Sequence, residues 1–170
     1  MGAAGLLLPN TDTPEQARML VECAKYHPLG RRGVSMMRAH NGFEKVEEPL
    51  KYMQECNEST VLMAQIESPL GVQNIEAILD VEGIDAAFIG PNDLTQNMGI
   101  FGQTTHVDYL AALDRVIEAA RQRGKFSGIH LVSSAALKPW IAKGMTLNLC
   151  ANDVEFLIKA AKAAIAEVKS

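Results

Sequence analysis

Two carboxylates, Glu67 and Asp93, define the chemistry this sequence offers, because each follows a short apolar run and the two stand one structural repeat apart. The first run, Val61-Leu62-Met63-Ala64, leads into Gln65-Ile66-Glu67; the second, Ala86-Ala87-Phe88-Ile89, leads into Gly90-Pro91-Asn92-Asp93. Such runs, too short for helices and bounded by polar residues, Gly and Pro, are the pattern of buried parallel strands. Between them an amphipathic helix is expected from about Pro69 to Leu79. A right-handed crossover then makes the strands parallel and brings both acids to the C-terminal edge of one sheet, where α/β folds keep their chemistry. Two like charges about 4 Å apart repel by roughly 4 kcal/mol at an effective dielectric of 20, so something must offset them. A hard divalent cation does so and leaves positions for water and a bidentate substrate, as Mg²⁺ or Mn²⁺ sites require. The same acids also have a purely local use, Glu67 favouring the start of the next helix and Asp93 capping a turn. Gln65, polar within an apolar strand, needs a partner.

The elements that must position these acids form a regular alternation. A strand is expected within Ala3 to Pro9, so the chain is read as starting inside a strand with almost no lead-in. Thr13 as N-cap, Pro14 at the first helical position and Gln16 placed for a capping box then open a helix that runs to about Lys25. His27 to Gly33 breaks it, and an irregular stretch to Gly42 precedes a helix from about Val46 to Cys56. After the two central strands and the helix capped by Ser68, a loop through Asn97 to Thr105 leads to a helix from Val107 to Arg123, stopped by Gly124. A strand from Phe126 to Leu131, a helix to Lys143, a strand from Thr146 to Cys150 and an Ala-rich helix from Asp153 to Lys169 complete the pattern. Five strands, each followed by a helix and lacking any GxGxxG or Walker loop, indicate a barrel or a doubly wound sheet. A complete eight-unit barrel takes about 250 residues, so these 170 residues fit one domain made of about the last five units of an incomplete (β/α)₈ TIM barrel. A five-stranded doubly wound sheet is the alternative.

Composition narrows the class. Hydrophobic residues make up 48% and no low-complexity tract occurs, so the chain is globular. A net charge of −4, with Arg31-Arg32 as the only dense basic pair, excludes a nucleic-acid surface. Cys23, Cys56 and Cys150 are odd in number and lack metal-ligand spacing, so free, buried thiols in a reducing, cytoplasmic setting are expected. The apolar opening from Gly2 to Leu8 is too short to span a membrane and lacks the basic start of a signal peptide.

Gln65-Ile66-Glu67-Ser68, Val81-Glu82-Gly83-Ile84-Asp85 and Phe88-Ile89-Gly90-Pro91-Asn92-Asp93-Leu94, with Met98-Gly99 after them, resemble the HpcH/HpaI family of metal-dependent class II pyruvate aldolases. Tyr26-His27-Pro28-Leu29-Gly30-Arg31-Arg32-Gly33-Val34 and Gly124-Lys125 with Ser127-Gly128-Ile129 extend the resemblance over essentially the whole chain. It implies a (β/α)₈ barrel and retro-aldol cleavage of a 4-hydroxy-2-oxo acid to pyruvate and an aldehyde, through a metal-stabilised enolate and without a Schiff-base lysine. The substrate class extends to a 2-keto-3-deoxy-glucarate-like diacid. It further implies a divalent cation (Mg²⁺, Mn²⁺ or Co²⁺) held by Glu67 and Asp93, with Gln65 supporting substrate or a metal-bound water. Gly90, Pro91 and Asn92 would shape the loop and offer backbone N–H groups to the substrate carboxylate. A homo-oligomer, often formed by exchange of the last helix, is also implied, with no nucleic-acid or membrane partner.

The sequence departs from the family in three respects. The family's base, a His assisted by an acid, and its pyruvate-binding Arg fall before the residue matched by Met1. The chain is therefore expected to lack them, and none of His27, His40, His106 and His130 matches the base position. His130 ends a strand where the family has an apolar residue, and is read either as a hydrogen-bonded structural residue or as a ring facing the mouth. Asn92 stands where a small residue is usual. Two further readings stay open, a non-catalytic barrel remnant serving as an oligomeric scaffold and a lyase acting on acyl-CoA thioesters.

Overall fold

The computed structural model describes residues 2–169. Five strands, β1 (Gly5–Leu8), β2 (Val61–Ile66), β3 (Ala86–Ile89), β4 (Phe126–Leu131) and β5 (Leu147–Cys150), form one sheet in the order β1-β2-β3-β4-β5 with every pairing parallel. The helices are α1 (Pro14–Ala24), α2 (Pro49–Ser59), α3 (Pro69–Gln73), α4 (Ile75–Leu79), α5 (Pro91–Asn97), α6 (Val107–Gln122), α7 (Ser134–Ala142) and α8 (Asp153–Lys169). Strand order that follows chain order is singly wound, and the sheet curls as part of a barrel. A doubly wound sheet needs a reversal of strand order and helices on both faces, so that alternative is overturned.

Side-chain alternation shows how the sheet is layered. In β2, Leu62, Ala64 and Ile66 are fully buried and join Ala87, Ile89 and Ile129 in a core closed by Ala17 and Val21 of α1, Ile75 and Ile78 of α4, and Leu113, Val116 and Ile117 of α6. The intervening residues Met63 and Gln65 point to the opposite, inner face, as does Phe88, which is level with Gln65 in the register. All four residues of β3 are buried, which is why this central strand reads as an unbroken apolar run.

Local signals decide where helices begin. Thr13 accepts a hydrogen bond from the Gln16 backbone N–H and the Gln16 side chain accepts from Thr13, the capping box expected of this stretch. Two expectations need correction. The helix read over Pro69–Leu79 is broken at Asn74, whose side-chain amide donates to the Asp12 carbonyl (2.8 Å) and ties α3/α4 to the loop after β1. The helix after the long irregular stretch starts at Pro49 and not at Val46, because Pro is favoured at the first helical position. All three cysteines are free, as expected, yet Cys23 is exposed and Cys56 and Cys150 are only half-buried. Cys23 lies on α1 away from that helix's buried stripe of Ala17, Leu20, Val21 and Ala24.

The N-terminal edge of the sheet holds a device that the sequence did not advertise. Lys25, 3% exposed, donates from its ammonium to the carbonyls of Asn57 and Thr60 at the end of α2, satisfying groups a helix terminus leaves open. Burial pushes this ammonium below its ordinary range and Asp85 opposes the shift. Lys125 does a similar job at the same edge, donating to Ile84 O at 2.7 Å. Lys25→Met strands both carbonyls, and a loss of about 1–3 kcal/mol is expected. That corresponds to a fall in Tm of roughly 2–4 °C per kcal/mol at this size, measurable by thermal denaturation; an unchanged Tm contradicts the capping role.

Candidate functional site

At the opposite, C-terminal edge the strand ends come into one row. Ile66 pairs with Ile89 and Ile89 with Ile129, so Glu67, Gly90 and His130 follow one residue later on three adjacent strands. A cleft of about 350 Å³ opens there, lined on the sheet side by Leu7, Gln65, Phe88, His130 and Leu149 and on the rim by Gly90, Pro91, Asn92, Asp93 and Val132. Glu67, 4% exposed, lies directly behind this lining.

Three oxygens of Glu67, both of the carboxylate and the backbone carbonyl, are held. Oε1 accepts from the Gln65 side-chain amide (2.8 Å), Oε2 from the backbone N–H of Asn10 (2.8 Å), and its carbonyl from the Asn97 side-chain amide (2.8 Å). Gln65 thus finds the partner that a polar residue in an apolar strand requires. Gly90 makes the arrangement possible: a Cβ at this position would run into Glu67 Oε1, lie 2.7 Å from Glu67 Cγ and 3.0 Å from Gln65 Nε2. The absence of a side chain at Gly90 is therefore the space in which the Glu67 carboxylate sits.

Asp93 occupies the first turn of α5, so the stretch read as a loop is helical from Pro91 onward. Pro91 at the first helical position fixes the turn and brings the acid back toward the sheet, where its carboxyl group meets that of Glu67. Burial holds the Glu67 carboxyl above the ordinary carboxylate range, the Asn10 N–H pulls it back, and the charge and hydrogen bond of Asp93 and the charge of Asp12 push it further up. The Gly90 N–H, expected to be offered to substrate, instead donates to Ile66 O at 3.1 Å, and Pro91 has none. Of the expected loop donors, Asn92 remains, joined by Asp93, as first-turn N–H groups without helical acceptors.

Asn10, Asp12 and Asn97 were not singled out from the sequence. Asn10 has φ 49°, the left-handed conformation that Asn tolerates, and this turns its N–H toward Glu67. Asp12 accepts from the Ser68 hydroxyl, which also caps α3 by accepting from Gly71 N–H (3.0 Å), so the loops after β1 and β2 are bound to one another. A Pro-Asn pair directly after an apolar strand was the one available signal.

A singly wound sheet with a carboxylate pair on consecutive strand ends is the layout of a (β/α)-barrel enzyme site. The HpcH/HpaI aldolase/citrate lyase family model matches residues 1–160, and the chain belongs to that family. It is similar to the 2-keto-3-deoxy-L-rhamnonate aldolase of Salmonella paratyphi B (36% identity over 100% of this chain and 63% of the relative). It is also similar to the hydroxypyruvate/pyruvate aldolase of Roseobacter denitrificans (34% over 99% of this chain and 65% of the relative). Among solved structures, an HpcH/HpaI aldolase from Desulfitobacterium hafniense superposes with a TM-score of 0.91 at 33% identity, covering 99% of this chain and 65% of that one. The chain thus spans a little under two thirds of the length of these relatives.

Proposed function

We propose that this chain forms the metal-holding portion of a carbon–carbon lyase that cleaves a 4-hydroxy-2-oxo acid to pyruvate and an aldehyde, with Glu67 and Asp93 as ligands of a divalent cation. The observation that carries this reading is the acid pair itself, the buried Glu67 carboxyl and the exposed Asp93 carboxyl brought side by side at the C-terminal edge, with Gly90 stripped of a side chain to admit Glu67. Such a pair is unfavourable by itself and favourable around a cation. The donor set fits Mg²⁺, Mn²⁺ or Co²⁺: hard oxygens and no thiolate or imidazole among the lining residues other than His130. No group of three or more His, Cys, Asp and Glu side chains assembles among the described residues, so two protein ligands leave the remaining positions to water and a chelating substrate.

When bound, the cation supplies Lewis acidity to the 2-oxo acid. The protein's own residues do the positioning. Gln65 and the Asn10 N–H orient the Glu67 carboxylate, Asn97 holds its backbone, and the first turn of α5 sets Asp93 beside it. Asn92 borders the place of the substrate carboxylate, and Leu7, Phe88 and Leu149 provide apolar walls. Residues 1–170 are read as one C-terminal barrel portion, with the base and the pyruvate-binding Arg supplied from outside it. The resemblance to the 2-keto-3-deoxy-L-rhamnonate aldolase supports sugar-derived 2-keto-3-deoxy acids as the substrate class. A homo-oligomer agrees with α8, on which Phe156, Leu157 and Ile158 are exposed and no residue is buried. Among the described residues no helix is long and apolar enough to cross a membrane.

The test is pyruvate release from a 4-hydroxy-2-oxo acid by the natural full-length product, with and without Mn²⁺, alongside thermal denaturation of the 170-residue chain. Metal-dependent release and a metal-dependent rise in Tm are expected. Absence of both overturns the reading and favours the scaffold alternative.

A further inference from the structure

His130 is the one polar side chain on the β4–β5 side of the cleft, where its neighbours are Val132 and Leu149. It is level with Leu149 in the β4–β5 register and two residues beyond Gly128, hence on the inner face that also carries Gln65 and Phe88. Its Nε2 lies 3.1 Å from the carbonyl oxygen of Ala151. A carbonyl only accepts, so Nε2 carries the hydrogen, and in the neutral ring Nδ1 is an acceptor. Among the described residues no group bonds to Nδ1, and this nitrogen is not among the enclosed unpartnered atoms. The tie to Ala151 is built in at a cost. Ala151 has φ 54°, a left-handed conformation disfavoured for a residue with a Cβ, and its N–H donates to Leu131 O (3.0 Å), so the peptide groups on either side of Ala151 are both tied to β4.

We propose that His130 is a specificity-determining residue whose Nδ1 accepts a hydrogen bond from a hydroxyl on the aldehyde-derived half of the substrate. This rests on the function proposed above, which places the 2-oxo acid end at Glu67 and Asp93. The remainder of the ligand must then extend along the cleft toward β4 and β5. There an acceptor stands between two apolar side chains, the arrangement that rewards a hydroxyl and leaves a polar group unpaired when the hydroxyl is missing.

Two ligands with the same 2-oxo acid head separate the possibilities, 5-hydroxy-2-oxopentanoate and 2-oxopentanoate, neither of which carries the 4-hydroxyl that retro-aldol cleavage needs. Their binding to the Mn²⁺-loaded natural full-length product, in which the pyruvate-binding Arg is present, is measured by calorimetry beside that of pyruvate. One hydrogen bond predicts a preference for the hydroxylated ligand of about 3- to 10-fold. Two variants then divide the roles of the ring. His130→Gln places an amide near Nε2 and keeps the tie to Ala151 but loses the Nδ1 acceptor; His130→Asn places an oxygen near Nδ1 and gives up the tie. The preference is expected to vanish in His130→Gln, to persist in His130→Asn, and pyruvate affinity is expected to be unchanged in both. A preference that survives in His130→Gln, or that wild type never shows while binding pyruvate, overturns the role of His130 alone. Failure of wild type to bind pyruvate overturns the proposed function and this inference with it.

Discussion

Glu67→Gln is expected to make the metal-free protein more stable at pH 7 while abolishing its response to Mn²⁺. The first half follows from the direction of the shift at this residue. Its folded-state carboxyl is held above the ordinary range by burial, Asp93 and Asp12, so the native state binds its proton more tightly than the unfolded chain does. Stability contributed by the protonated form is therefore full below the unfolded value near 4.3. It is lost as pH rises through the window up to the raised folded value, and stays lost at neutrality. Glutamine carries no such penalty, so the Tm difference between variant and wild type should be positive at pH 7 and shrink to nothing near pH 4. The second half follows from the donor set: with two protein ligands, removing one halves it. Weakening of Mn²⁺ binding by more than the 10- to 100-fold typical of outer-shell changes is expected. Asp93→Asn should produce the same loss of metal response. The measurements are thermal denaturation across pH and calorimetric Mn²⁺ titration; a Glu67→Gln chain less stable than wild type at pH 7, or one that still binds Mn²⁺ normally, contradicts the pair's assigned role.

Gly90→Ala tests the same site through space instead of charge. The added methyl meets Glu67 Oε1 and Cγ and Gln65 Nε2 at once, and none of these is the loose end of a mobile chain, because Oε1, Oε2 and the Glu67 backbone are all pinned. Overpacking of this kind costs about 1–3 kcal/mol, a fall in Tm of roughly 2–4 °C for each kcal/mol. Metal binding should weaken as well, since the carboxylate must move off its donors. Gly33→Ala, where an added Cβ meets nothing within 4 Å, is the matched control. Equal behaviour of the two variants would show that the close approach at Gly90 has no functional consequence.

What could be read from the residues, and what could not, divides by the range of the interaction. The strands β2 and β3, the acids that follow them and the capping box at Thr13 are written in contiguous residues, and each is found where expected. Strand order is not written in the same residues and two architectures fit them, because apolar runs state that strands are buried without stating their neighbours. The split at Asn74 escaped because its cause is the distant Asp12 carbonyl. Gly90-Pro91 reads along the chain as a loop, although Gly-Pro is also a helix entry, and α5 begins there. The fixing of Glu67 by Asn10 and Asn97 was out of reach, since one donor is a backbone N–H and the other acts on a carbonyl, and neither leaves a pattern along the chain. His130 illustrates the intermediate case: the sequence put it at a strand end, and only the register with Leu149 and the bond to Ala151 show which way it faces.

The placement of Lys25 and Lys125 has a consequence for how such a chain can change over evolutionary time. Both ammonium groups brace carbonyls at one rim of the sheet, while Glu67, Asp93 and His130 occupy the other. The rim that secures the fold and the rim proposed to meet ligands are separated by the length of the strands. Residues such as Val132, His130 and Leu149 are thus free to drift toward new tail groups without loosening the lysine-braced end, and repairs at that end leave ligand preference untouched.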